Sequence, residues 1–115
     1  MIRILSFMIA AALPMAASAQ PCSQASYYGH GDGYAWRTMA NGQPMNPQGM
    51  IAAHRYLPFG TRLLVSNPDN GRAVVVTVTD RGPFVAGRDL DLSYGAFSRI
   101  ASTGQGVARV CWARA

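Results

Sequence analysis

The feature that most constrains this chain is the run Ala73-Val74-Val75-Val76-Thr77-Val78-Thr79, which stops at Asp80-Arg81-Gly82-Pro83-Phe84. β-Branched side chains have few rotamers and pack well on a pleated surface, so the run predicts a short central strand. Gly82 and Pro83 forbid its continuation and predict a sharp turn. Acids are scarce: there is no glutamate, and the aspartates are Asp32, Asp69, Asp80, Asp89 and Asp91. A carboxylate placed where the central strand breaks therefore needs a reason.

Around that strand the chain reads as short extended segments divided by Gly/Pro/Asn loops. Ala25–Gly29, Met50–His54, Thr61–Ser66, Arg72–Thr79, Arg88–Ser93 and Val107–Ala113 have strand character. The stretches 29–33 and 41–49 read as loops. Asn67-Pro68-Asp69-Asn70-Gly71 reads as a hairpin connection, with Asn70 and Gly71 supplying positive φ. Ser93 is a candidate N-cap for a helix from Tyr94 to about Ala101. Many short strands and one short helix predict an all-β fold, a small closed barrel rather than a sandwich.

Residues 1–19 have the layout of an export signal. Arg3 is followed by an apolar run from Ile4 to Leu13 and by Ala17-Ser18-Ala19. That run is too short to span a bilayer, and no transmembrane segment is expected once the signal is cleaved. Residues 20–115 then form one domain, near the size at which a single core is barely sufficient. Export would place Cys22 and Cys111 in an oxidising compartment, where they can pair and close almost all of the mature chain into one loop. Two cysteines with two distant histidines, His30 and His54, show no metal-ligand spacing, so neither a metal nor a cofactor is expected. All ten basic residues are arginine, and the formal charge of +5 suits a polyanionic partner. The arginines are scattered, without the basic helix or interleaved aromatics of nucleic-acid binders, so no nucleic acid is expected. A wall polymer carrying carboxylates is the simpler partner.

The segments "ASYYG", "TMANGQ", "AAHRYLPFGTRLLVSN", "NGRAVVVTVTDRGPFVAGRDLDLS" and "GVARV" together resemble the rare lipoprotein A (RlpA)-like family, related to expansins and barwin. The resemblance implies a six-stranded double-psi β-barrel with an open groove. It also implies a periplasmic, monomeric lytic transglycosylase acting on peptidoglycan glycan strands, preferably those without stem peptides. The bond cut would be that between N-acetylmuramic acid and N-acetylglucosamine, leaving a 1,6-anhydro end. By position, the resemblance gives catalytic roles to Asp80 and His54. It gives substrate contacts to Tyr28, Asn41, Gln43, Asn46 and Arg81. At Gln43 and Asn46 the family commonly carries acids, and here both are amides.

Ordinary glycoside hydrolases need two carboxyl groups. A lytic transglycosylase needs fewer, because the sugar's own C6 hydroxyl is the nucleophile and one carboxyl can act first as acid and then as base. Asp80 is expected in that role. Asp91, before Leu92-Ser93, is expected to anchor the helix start or the barrel turn by hydrogen bonding to backbone N–H groups. Asp69 and Asp89 suit solvated or turn positions, and Asp32 is loop material. Tyr27, Tyr28, Tyr34 and Trp36 are candidates either for stacking on pyranose faces or for the core. Two other readings compete: a non-cleaving, expansin-like wall-binding module, and a two-acid hydrolase pairing Asp80 with Asp32 or Asp91.

Overall fold

The computed structural model describes residues 20–115, so the export signal expected over residues 1–19 lies outside the described residues. Six strands, β1 Cys22–Tyr28, β2 Ile51–Ala53, β3 Arg62–Ser66, β4 Ala73–Asp80, β5 Arg88–Ser93 and β6 Val107–Arg114, close into a barrel in the order β1-β5-β2-β4-β3-β6. One helix, α1 Tyr94–Ile100, and a 3₁₀ turn at Thr103–Gln105 follow β5. The pairs β1–β5 and β2–β4 are parallel, and the rest are antiparallel. The expected elements are all present, with β1 extended back to Cys22 and β4 running one residue further, through Asp80.

The central strand alternates. Val74, Val76 and Val78 point into the barrel, while Val75, Thr77 and Thr79 are half-buried on its outer side. Leu63, Val65, Leu90, Leu92 and Val110 complete the interior, closed by Phe97 and Ile100 of α1. Each such side chain, fully removed from water, contributes about 1.5–3 kcal/mol. A second apolar cluster, Tyr28, Met39 and Met45 with Ile51 against it, lies under the 34–49 loop.

Ser93 caps α1 by accepting from Ala96 N, and its hydroxyl donates to Gly49 O. At Gly95 the loop comes so close that a Cβ would lie 2.9 Å from the Gln48 Cα, so the helix can dock there only on a glycine. The hairpin turn differs from expectation. Gly71 has φ +77°, whereas Asn70 is not left-handed. Asn67 does the shaping: its side-chain oxygen accepts from Asp69 N and its carbonyl from Gly71 N. The Asn67 and Asn70 amides both donate to Ile100 O, which ties the hairpin to the end of α1.

Cys22 and Cys111 are directly opposed on β1 and β6, with Cα atoms 3.9 Å apart, and form the disulfide. The bridge spans 89 residues of chain. In the chain-entropy account a loop of that length is worth about 4–5 kcal/mol. Replacing both cysteines by serine is expected to lower the unfolding free energy by about that amount, read from urea midpoints with and without reductant. Reductant should shift the native midpoint and leave that of the double variant unmoved.

Candidate active site

The cleft floor follows from strand register. Ala53 of β2 lies opposite Asp80 of β4 on one side and opposite Asp91 of β5 on the other. Asp91 in turn lies opposite Ser26 of β1. Residues opposed in a ladder share a face, so Ser26, Asp91, Ala53 and Asp80 form a row across four strands on the outside of the barrel. Strand spacing sets the two aspartate Cα atoms roughly 10 Å apart, with only the methyl of Ala53 between them.

Asp80 reaches this row through a bulge. Ala52 pairs with Val78, yet Ala53 pairs with Asp80, so Thr79 is the inserted residue. Simple alternation from Val74, Val76 and Val78 would have pointed Asp80 inward; one extra residue re-aims it. For Asp91 no such device is needed. Its neighbours Leu90 and Leu92 are buried in the barrel, and alternation alone turns it outward.

Over this row opens a cleft of about 340 Å³, walled by Tyr34, Arg37 and Thr38 on one side and by the Arg81–Phe84 turn on the other. Asp80 is held on both oxygens. Oδ1 accepts from Ala40 N and Arg81 N, both at 2.9 Å, and Oδ2 accepts from the Tyr28 hydroxyl at 2.7 Å. Burial, and then the Asp80 bond and charge, push the Tyr28 phenol far above its usual range, so it stays a neutral donor. Asp91 has a single side-chain partner, the Ser26 hydroxyl at 3.1 Å. Burial pushes its carboxyl up to about 6, against the opposing effect of the Ser26 bond.

Asp91 anchors neither the helix start nor a barrel turn through backbone N–H groups, since its one side-chain partner is the Ser26 hydroxyl. Ser93 caps α1, while the Asp91 carboxyl lines the cleft. The Arg81 guanidinium does not pair with Asp80. It donates to His54 O and Leu57 O and lies 4.0 Å over the Phe59 ring, and only its backbone N–H reaches Asp80.

The structure does not bring His54 to the cleft. It follows outward-facing Ala53, so the next position points inward, and the ring is 1% exposed. Its Nδ1 accepts from Tyr56 N and Leu57 N, and the ring packs edge-on to Trp112. Burial, and then the neighbouring Arg55 charge, lower its basicity and keep it neutral.

Asn41, Gln43 and Asn46 also lie outside the cleft lining. Asn41 Oδ1 accepts from Gln43 N, and Asn46 Oδ1 from Gln48 N, so both asparagines shape their own loop. The loop touches the site through backbone instead, by Ala40 N to Asp80 and Asn41 N to Thr79 O. Of the expected substrate contacts, Tyr28 and Arg81 line the cleft. Tyr34 does too, its loop pinned by Asp32, which accepts from Gly29 N and Tyr34 N. Tyr27 instead packs against Phe97 and Tyr94. Trp36, at φ +67°, is exposed beyond the lining.

A closed six-stranded barrel in this strand order, with a cleft across its outer face, is a double-psi β-barrel domain. Residues 20–112 match the family described as "Lytic transglycolase". The chain is 57% identical over 86 residues to a protein of Nostoc sp. named "Probable endolytic peptidoglycan transglycosylase RlpA", covering 75% of this chain and 23% of that one. It is 45% identical over 86 residues to the "Endolytic peptidoglycan transglycosylase RlpA" of Campylobacter jejuni, covering 75% and 30%. The chain thus spans less than a third of the length of these relatives. It belongs to the RlpA-like lytic transglycosylase family. In fold it is similar to an expansin of Clavibacter michiganensis, with TM-score 0.64, 24% identity, and 82% of this chain and 49% of that one covered. It is equally similar to the Streptomyces papain inhibitor, with TM-score 0.63, 24% identity, and 81% and 91% covered.

A half-buried carboxyl whose affinity for its proton rises on folding loses stability as pH climbs from about 4 to 6, because ionisation is then harder in the folded state. Asp91→Asn removes that cost. The variant is expected to melt higher than the parent at pH 7, by up to about 2 kcal/mol, and to show no advantage at pH 3.5, as read by thermal scans at both values.

Proposed function

We propose that this domain is a lytic transglycosylase of peptidoglycan glycan strands, acting in the periplasm on strands without stem peptides. The observation that carries this reading is the pair Asp80 and Asp91, set in register on either side of Ala53 on the floor of an open cleft. Of the two, Asp91 is suited to give a proton, because burial keeps its carboxyl partly protonated near neutrality. Asp80, anchored by three donors, presents a fixed acceptor edge to the positive charge that develops at the anomeric carbon.

In this mechanism Asp91 protonates the glycosidic oxygen as the bond from the muramic acid C1 breaks. The sugar's C6 oxygen then bonds to C1, and the C6 proton passes to the Asp91 carboxylate, which restores the acid. Atoms balance without water: one strand becomes two, and the new muramic acid end is 1,6-anhydro. The acid-then-base role thus falls to Asp91, with Asp80 as its fixed partner. His54 acts at a distance, holding the 54–57 turn that receives the Arg81 guanidinium. Gln43 and Asn46, where the family commonly carries acids, lie outside the cleft lining, so the cleavage reading is carried by Asp80 and Asp91 alone.

The exposed rings of Tyr34, Trp36 and Phe84 also suit an expansin-like module that binds glycan without cutting it. Product analysis separates these readings. Purified peptide-free strands incubated with the mature protein should yield anhydro ends by mass spectrometry. Ordinary reducing ends would indicate a two-acid hydrolase, and bound but uncut strands would indicate the binding module. Asp91→Asn is expected to lower kcat/KM at least 1,000-fold, on the order of the loss of an essential general acid, and Asp80→Asn on the order of 100-fold. The acid must be protonated, so kcat/KM should fall as pH rises through about 6. Asp80→Asn should keep that limb, and an unchanged rate from pH 5 to 8 would remove Asp91 from the role.

A further inference from the structure

Phe84 is the most exposed of the large apolar side chains among the described residues, at 80%. It ends the turn that walls the cleft, and its ring edge lies against Gly82, 3.6 Å from where a Cβ would sit. The same ring borders a second, shallower depression of about 300 Å³, enclosed with Arg55, Val85, Ala86 and Gly87. Phe84 is therefore a shared wall, with the cleft on one side and this depression on the other.

Arg55 fixes the geometry there. Its guanidinium donates to Pro83 O and Arg88 O, at the two ends of the loop, and to Asp89 Oδ1 at 3.1 Å. The loop that carries Phe84 is thus stapled at both ends. Three of the five N–H groups of Arg55 are committed and two remain free to donate. A phenyl face beside unspent guanidinium donors matches a pyranose ring, which has an apolar C–H face and a rim of hydroxyls. It does not match a protein anchor, which would need a desolvated apolar pocket rather than a shallow one lined by arginine, alanine and glycine.

We propose that this depression is a distal sugar subsite, holding a further pyranose of the same glycan strand that occupies the cleft, with Phe84 as the platform between the two. The inference rests on the glycan reading of the cleft. It makes affinity grow with strand length and assigns that growth to one side chain.

The test uses Asp91→Asn protein, which leaves strands uncut, titrated calorimetrically with tetrasaccharide and octasaccharide fractions of peptide-free glycan. With Phe84 present, the octasaccharide should bind roughly fivefold to tenfold more tightly than the tetrasaccharide. Phe84→Ala should cost the octasaccharide that gain, so that the ratio of the two affinities falls to about one, while Phe84→Tyr, which keeps the ring, should retain it. Equal weakening of both fractions by Phe84→Ala, or no gain with length at the outset, overturns the subsite and leaves the cleft reading standing. Failure of either fraction to bind overturns the cleft reading and the subsite with it.

Discussion

The site depends on the backbone register around Ala53. One residue is opposed to an aspartate on each flank, and the arrangement holds only because β2 is the middle strand of three that run side by side. The bulge at Thr79 is as necessary as the pairing. Without it the Asp80 carboxyl would face the apolar interior, where an ionised group without charge partners is severely penalised. Ala53 itself must be small, since a larger side chain would fill the gap between the two carboxyls on the cleft floor.

Two arginines hold the walls by a reciprocal exchange. Arg55, beyond β2, bonds the carbonyl of Pro83 in the turn that follows β4 and that of Arg88, where β5 begins. Arg81, beyond β4, bonds carbonyls of the turn that follows β2. Each loop thus spends a guanidinium on the other's backbone. Loops that run over a surface have carbonyls without ladder partners, and a planar five-donor group can satisfy two of them at once. This also explains why the arginine beside the cleft aspartate does not pair with it: its charge is engaged elsewhere, and the carboxylate is met by backbone N–H groups and a phenol instead.

Much of the fold was legible in the residues, because strand formers, turn residues and the Ser93 cap act locally and each leaves a local mark. Barrel order was not, since parallel pairing of β1 with β5 and β2 with β4 joins segments far apart in sequence, and periodicity carries no signal of it. The family resemblance implied a double-psi barrel, and the order itself comes from the structure. At the site, Asp80, Tyr28 and Asp91 all line the cleft, and for Asp91 the sequence carries a signal of that placement. Leu90-Asp91-Leu92 alternates, which places the aspartate opposite the core, and Ser93 was already sufficient as a cap. The same parity argument, counted from Ala53, would have turned His54 inward. The roles of Asn41 and Asn46 were hidden for a different reason. Whether an asparagine bonds its own backbone or a ligand is decided by loop conformation, which composition does not determine.

The contrast between the two aspartates is electrostatic at root. Both are carboxyls on one row of one sheet, yet Asp80 receives three hydrogen bonds and Asp91 receives one. A carboxyl that accepts three hydrogen bonds is fixed in orientation, whereas burial with a single donor raises the affinity of Asp91 for its proton. The difference arises from the neighbours. Asp80 ends a strand, where the free N–H groups of Arg81 and the adjoining loop converge on it. Asp91 lies mid-strand, where backbone N–H groups belong to the ladder and only the side chain of the paired residue, Ser26, can reach. Strand end against strand middle is thus what sets the two carboxyls apart, although they share one row of a single sheet.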